Sequence, residues 1–206
     1  MDVIFFPIVA DTVGPASKFA MLSADGLLIT SAISRMNFTS KQATYQRICE
    51  QLQELLGGET DLVANAANTA AFLYRAIPDV NWVGFYLTRQ GQLVLGPFQG
   101  SPARARIPFG KGVCGTAALQ QETVVVPDVS SFPGHIACDT ASQSEIVVPL
   151  LNWGHVLGVL DVDSATLNRF DEDDQEGFES IASVFMANIA TEDLPDFTEA
   201  AARAEQ

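Results

Sequence analysis

The sequence predicts an α+β domain in which a central antiparallel sheet is flanked by helices. The order of periodicities is the first reason: two helical stretches, three strand-like ones, an irregular middle, two more strands and a last helix. Second, strands fall in pairs around the tight turns Gln90-Gly91 and Asn152-Trp153-Gly154, which join antiparallel neighbours. Third, no strand–helix–strand unit repeats, so a parallel sheet is not indicated.

The first helix is expected from Ser40, as cap, through about residue 56. Tyr45, Ile48, Cys49, Leu52, Leu55 and Leu56 recur on one face, and Gly57-Gly58 follows as a glycine stop. Cys49 is thereby read as a small core hydrophobe. Thr60 or Asp61 caps a second helix with Leu62, Ala66, Ala70, Leu73 and Ile77 facing the core, until Pro78 stops it. Residues 82–87 and 93–96 then form a hairpin, and residues 105–108 a third short strand.

Gly110-Lys111-Gly112-Val113-Cys114-Gly115-Thr116-Ala117 is a glycine-rich turn entering a short helix. It is not a phosphate-binding loop, because its lysine is not followed by Ser or Thr and the leading glycine is missing. Residues 123–126 read as a strand, followed by a long loop over 127–143; a loop of that length in a compact domain is more often functional than idle. Residues 144–151 and 155–164 form the second hairpin, with His155 solvated at its tip. Asp171-Glu172-Asp173-Asp174 opens the last helix, where carboxylates complement the positive end of the dipole, rather than forming a metal loop. Its apolar stripe is Phe178, Ile181, Phe185 and Ile189.

With 206 residues, 48% of them hydrophobic, the chain suits one domain with extensions, or at most two small ones. Residues 1–38 read as an N-terminal extension, either loosely ordered or produced by too early a start codon. Residues 39–190 read as the domain, and 191–206 as an acidic, frayed tail. A net charge of −14 argues against nucleic acid or an anionic membrane as partner. The apolar run Ile4-Phe5-Phe6-Pro7-Ile8-Val9-Ala10 is too short and too interrupted to span a bilayer, and no basic segment precedes it as in a signal peptide. Three cysteines without a CxxC pair suggest reduced thiols and a cytoplasmic location.

Chemistry concentrates between Gly134 and Ser164. Cys138 sits in the long loop beside His135 and Asp139, where a thiol can be exposed and, with its pKa lowered, act as a nucleophile. Asp161 and Asp163 are two residues apart in a strand, so both point to one face at a spacing of about 6–7 Å, within a run that otherwise reads as core. Like charges at that distance raise one pKa, and the resulting neutral acid can donate a proton. Glu145 opens the neighbouring strand and adds a third carboxylate; such a cluster also suits a ligand bearing an ammonium group. Zinc is an alternative, since Cys114, His135, Cys138 and Asp163 are all acceptable ligands, but the cysteine spacing matches no known ligand pattern and no metal is expected. A Cys–His hydrolase fits less well, with His135 only three residues from Cys138 and no oxyanion motif.

Six segments, in order, carry a resemblance. They are Asn81-Trp82-Val83-Gly84-Phe85-Tyr86-Leu87, Val94-Leu95-Gly96-Pro97-Phe98-Gln99-Gly100, Gly112-Val113-Cys114-Gly115-Thr116-Ala117, Gly134-His135-Ile136-Ala137-Cys138-Asp139, Ser144-Glu145-Ile146-Val147 and Gly158-Val159-Leu160-Asp161-Val162-Asp163-Ser164. Over about residues 40–190 the chain resembles the free methionine-(R)-sulfoxide reductases, single GAF-domain enzymes. The resemblance implies the GAF fold and reduction of free L-methionine-(R)-sulfoxide to L-methionine, with no bound cofactor. It implies further that Cys138 attacks the sulfoxide sulfur and becomes a sulfenic acid. Glu145, Asp161 and Asp163 would bind the substrate ammonium and assist protonation of the sulfoxide oxygen; Trp82 and Tyr86 would pack around the methyl-sulfoxide end. Thioredoxin is the reductant it implies, and a homodimer the assembly.

One departure stands out. Many family members carry a third, resolving cysteine before the Ile-Pro step, and here Arg104 holds its place in Ser101-Pro102-Ala103-Arg104-Ala105-Arg106. The resolving role then falls to Cys114 or to an external thiol, and Arg104 would lower the Cys138 pKa if it came close. The same departure supports the rival expectation, a non-catalytic GAF sensor domain that binds a small molecule.

Overall fold

The computed structural model describes residues 40–134 and 141–190. The expected N-terminal extension, the loop residues His135 and Cys138, and the acidic tail lie outside them.

Helix α1 (Ser40–Leu56) turns Tyr45, Ile48, Leu52 and Leu56 inward. Two details differ from the sequence reading. Ser40 lies within the helix rather than capping it, and Leu55 is 46% exposed, because the core-facing stripe runs through Leu52 and Leu56. Cys49 is half-buried at the margin of that stripe. In α2 (Leu62–Ala76) the carboxylate of Asp61 accepts the Ala64 amide at 2.7 Å, which satisfies one of the helix's free N–H groups. Leu62, Ala66, Ala70, Leu73 and Ile77 are all buried, as their spacing predicts.

Strands β1 (Trp82–Arg89), β2 (Gln92–Gln99), β3 (Arg106–Pro108), β4 (Val124–Val126), β5 (Ser144–Asn152) and β6 (His155–Ser164) form one sheet. Its order is β3-β2-β1-β6-β5-β4, and every neighbouring pair is antiparallel. β2 continues past residue 96 to Gln99 and includes Pro97. Gly84 pairs with Phe98 and Tyr86 with Leu95, so β2 has one extra residue there. That bulge frees the ladder position at which a proline lacks its N–H.

Alternation along the strands divides the core between two faces. Val83, Phe85, Leu87, Ile146, Val148, Leu150, Leu160 and Val162 join the side chains of α1, α2 and α4 (Glu172–Ala187). Phe85 meets Phe185 of α4 with ring centroids 4.6 Å apart, and Tyr45 of α1 meets Phe178 edge-on at 5.5 Å. Each such ring contributes roughly 1.5–3 kcal/mol by burial. The opposite face carries Trp82, Tyr86, Val147 and Val159 and is covered by α3 (Gly112–Gln120).

The acidic run is a helix start, as expected, but its members divide. Asp171 caps α4 in a reciprocal capping box with Asp174. Asp174 is fully buried: it accepts the Tyr45 hydroxyl at 2.7 Å and Arg169 Nη1 at 3.1 Å, and it pairs with Lys41. A carboxylate is tolerated there because two cations and a phenol replace its water, and the cluster ties α1 to the start of α4.

Candidate active site

The sheet register decides which side chains meet on the α3 face. Trp82 and Glu145 both pair with Asp163, on either side of β6, and Asp161 pairs with Gly84 and Val147. Residues opposite one another in a sheet share a face, so Trp82, Gly84 and Tyr86 of β1, Glu145 of β5, and Asp161 and Asp163 of β6 form one patch. Trp82, Tyr86, Asp161 and Asp163 are each 0% exposed and Glu145 is 2% exposed. The three acids singled out from the sequence therefore converge, and they do so in the interior.

α3 brings the thiol. Cys114 lies in its first turn, with Sγ 3.2 Å from Asp161 Oδ2 and 3.9 Å from Glu145 Oε1. Gly115 makes that seat available: a Cβ at this position would stand 2.4 Å from the carbonyl oxygen of Pro108. Burial pushes the Glu145 carboxyl well above the ordinary glutamate range, and the charge of Asp163 adds to the shift. Hydrogen bonds with Asp161 and Cys114 act in the opposite sense but do not reverse it. Glu145 is thus placed to hold a proton, next to a partner whose charge opposes its ionisation.

An aromatic wall stands beside the acids. Trp82 stacks on Phe98 at 5.4 Å and on Tyr86 at 6.0 Å. Its indole N–H donates to the Ser101 carbonyl at 3.0 Å, and the Tyr86 hydroxyl donates to the Arg104 carbonyl at 3.0 Å. Both rings are therefore oriented by backbone carbonyls of the 101–104 segment. The Arg104 side chain itself is exposed. Phe98 belongs to this wall although the sequence assigned it no role; its signal is its position in Phe98-Gln99-Gly100, at the end of a strand paired with β1.

Gly84 is the second residue whose importance only packing reveals. A Cβ there would lie 2.4 Å from Trp82 Cη2 and 2.4 Å from Phe98 Cβ. Gly84→Ala is expected to displace the indole and to lower stability by about 1–3 kcal/mol, an overpacking effect. Thermal unfolding with ligand titration checks this: wild-type stability and affinity together would contradict the fit described.

The strand end that carries Glu145 is anchored as well. Asn81 Nδ2 donates to Ser142 Oγ at 3.2 Å, the Gln143 amide donates to the Ser164 carbonyl at 2.7 Å, and the Asn81 amide donates to the Asp163 carbonyl at 3.0 Å. Residues 141–143 thereby lead into β5 immediately beside the acids.

Cys114, Glu145 and Asp161 place one donor atom each within 4.8 Å of one another, a set that a divalent cation such as zinc accepts. The zinc ligands weighed from the sequence were different, and two of them, His135 and Cys138, lie outside the described residues. A groove of about 540 Å³ between β5 and α4 is lined by Gln121, Pro149, Leu151, Glu179 and Met186 among others. It contains no thiol and none of the three acids, so it offers no comparable chemistry.

Comparisons with known proteins agree with this fold. A family model described as the GAF domain matches residues 40–189. The chain is 51% identical to Protein YtsP of Bacillus subtilis, covering 73% of this chain and 93% of that one. It is 44% identical to the free methionine-R-sulfoxide reductase of Escherichia coli, covering 77% and 96% respectively. A crystal structure of free methionine-R-sulfoxide reductase from Neisseria meningitidis, in complex with its substrate, superposes with a TM-score of 0.70 at 45% identity, covering 81% of this chain and 95% of that one.

Proposed function

Because this chain belongs to the GAF-domain family and, within it, to the free methionine-R-sulfoxide reductases, we propose that it reduces free L-methionine-(R)-sulfoxide by a cysteine-based mechanism. One observation carries the proposal: three carboxyl groups are buried side by side, Glu145 among them holding its proton, with an aromatic wall on one side and a thiol on another.

In this reading the ammonium of the substrate lies among the carboxylates of Asp161 and Asp163, a charge pairing strong enough to offset the cost of burying them. The methyl-sulfoxide end packs against Trp82 and Tyr86. The sulfoxide oxygen is a poor leaving group until protonated, and Glu145 supplies that proton. The Cys138 thiolate attacks sulfur, the sulfur–oxygen bond breaks, and methionine leaves as the oxygen is retained on Cys138 as a sulfenic acid. The Cys114 thiol then condenses with it, forming a disulfide and releasing water, and a dithiol reductant of the thioredoxin type restores both thiols. No resident cofactor takes part. Reduced thiols fit a cytoplasmic enzyme, and a homodimer is the proposed assembly. Among the described residues, no helix is long and apolar enough to cross a membrane.

The test is methionine release from the separate R and S epimers of free methionine sulfoxide, with dithiothreitol and with thioredoxin as reductants. Turnover of the R epimer alone is expected with both. Binding of the R epimer without turnover under either reductant would favour the sensor reading, for which Arg104 in place of a third cysteine is the specific observation.

A further inference from the structure

Cys114 is placed to do something in the reduced enzyme, before any disulfide forms. Its Sγ is 3.2 Å from Asp161 Oδ2, and thiol and carboxylate come from α3 and β6, elements tied by no local constraint. Both groups are buried. A thiol hydrogen pointed at a carboxylate oxygen favours the ionised form of the acid and fixes its orientation. Among the described residues, the groups facing Asp161 include Cys114 from α3, Glu145 from β5 and Asp163 on its own strand, while β1 presents Gly84 directly opposite and Tyr86 further along, its hydroxyl turned to the Arg104 carbonyl. In that acid-rich setting the thiol is the donor, aimed at Asp161 Oδ2.

We propose that Cys114 is a positioning residue for substrate binding: its thiol donates to Asp161 and holds that carboxylate charged and oriented for the substrate's ammonium. This rests on the reductase reading above and adds to the resolving role a separate one, exerted while the thiol is reduced. Once Cys114 is oxidised its S–H is gone, so the same residue weakens the hold on the amino acid after the oxidation step.

The experiment uses the full chain carrying Cys138→Ser, so that substrate binds without reacting, and compares it with the double variants bearing Cys114→Ala or Cys114→Ser. Affinity for methionine-(R)-sulfoxide is measured by calorimetry from pH 5 to 9. Alanine is expected to weaken binding roughly tenfold near neutrality, the loss typical of a hydrogen bond to a charged group. It should also move the acidic limb of the affinity profile to higher pH. Serine, which retains a donor, should restore most of both. Parent-like affinity and pH dependence in the alanine variant, or a serine variant as weak as alanine, would overturn the proposal.

The infrared S–H stretch, assigned by its loss in Cys114→Ser, gives a readout that needs no substrate and is expected to shift on Asp161→Asn. A band unmoved by that change also overturns the proposal. A band that moves in a parent protein unable to bind the sulfoxide would instead sink the reductase reading.

Discussion

Serine in place of Cys138 is expected to abolish methionine release from methionine-(R)-sulfoxide, by roughly 10³-fold or more, while binding of the sulfoxide persists. The size of the effect follows from the chemistry: a serine hydroxyl is hardly ionised near neutrality, whereas a cysteine already supplies some thiolate and is intrinsically far more nucleophilic. Binding should survive because the groups proposed to hold the substrate, Asp161, Asp163, Trp82 and Tyr86, belong to β1 and β6 and are fixed by the sheet register. Steady-state turnover with calorimetric binding separates the two. Substantial activity in the serine variant would remove Cys138 from the chemistry and move attention to Cys114, the thiol already beside the acids.

Glu145→Gln is expected to lower turnover roughly 10²–10⁴-fold, the range for loss of a positioned general acid. It should also make the protein more stable at neutral and alkaline pH. The native carboxyl lies well above the ordinary value of 4.5, chiefly through burial and then through the charge of Asp163. Between 4.5 and that raised value the folded state binds a proton that the unfolded state has lost, so stability falls as pH rises across this window. Below 4.5 both states are protonated and the contribution is fully present. Glutamine has no proton to lose and escapes the decline. Melting temperatures of the two proteins should therefore be similar near pH 4 and diverge, with the variant higher, toward pH 8. Wild-type activity should fall on the alkaline side as Glu145 ionises, and that limb should be missing from the residual activity of the variant. A variant less stable than wild type at pH 8 would show that the carboxyl is not held neutral by its surroundings.

Much of the fold was legible because local patterns carry it. The period of α2 places Leu62, Ala66, Ala70, Leu73 and Ile77 inward, and all are buried. Hairpin turns announce antiparallel pairs, and the alternation of β6 puts Asp161 and Asp163 on one face without reference to any other part of the chain. Where the reading fell short, a distant partner intervened. The sequence pattern marks the second strand over residues 93–96 only, but a bulge against β1 lets β2 continue through Pro97 to Gln99. Asp174 reads in sequence only as one of four carboxylates at a helix start, whereas in the fold Lys41, Tyr45 and Arg169 gather around it from both sides in sequence.

The residue types of the candidate site and their facing were thus already in the sequence: a face is a matter of two-residue periodicity, and charge embedded in an apolar run marks itself. The sequence could not say that burial raises the Glu145 pKa, that Cys114 reaches Asp161, or that Gly84 and Gly115 keep open the space that Trp82 and α3 occupy. Those are consequences of closure. A pKa depends on how much water is removed and which charges remain nearby, and a thiol–carboxylate contact across 47 residues of chain exists only once α3 has been laid on the sheet.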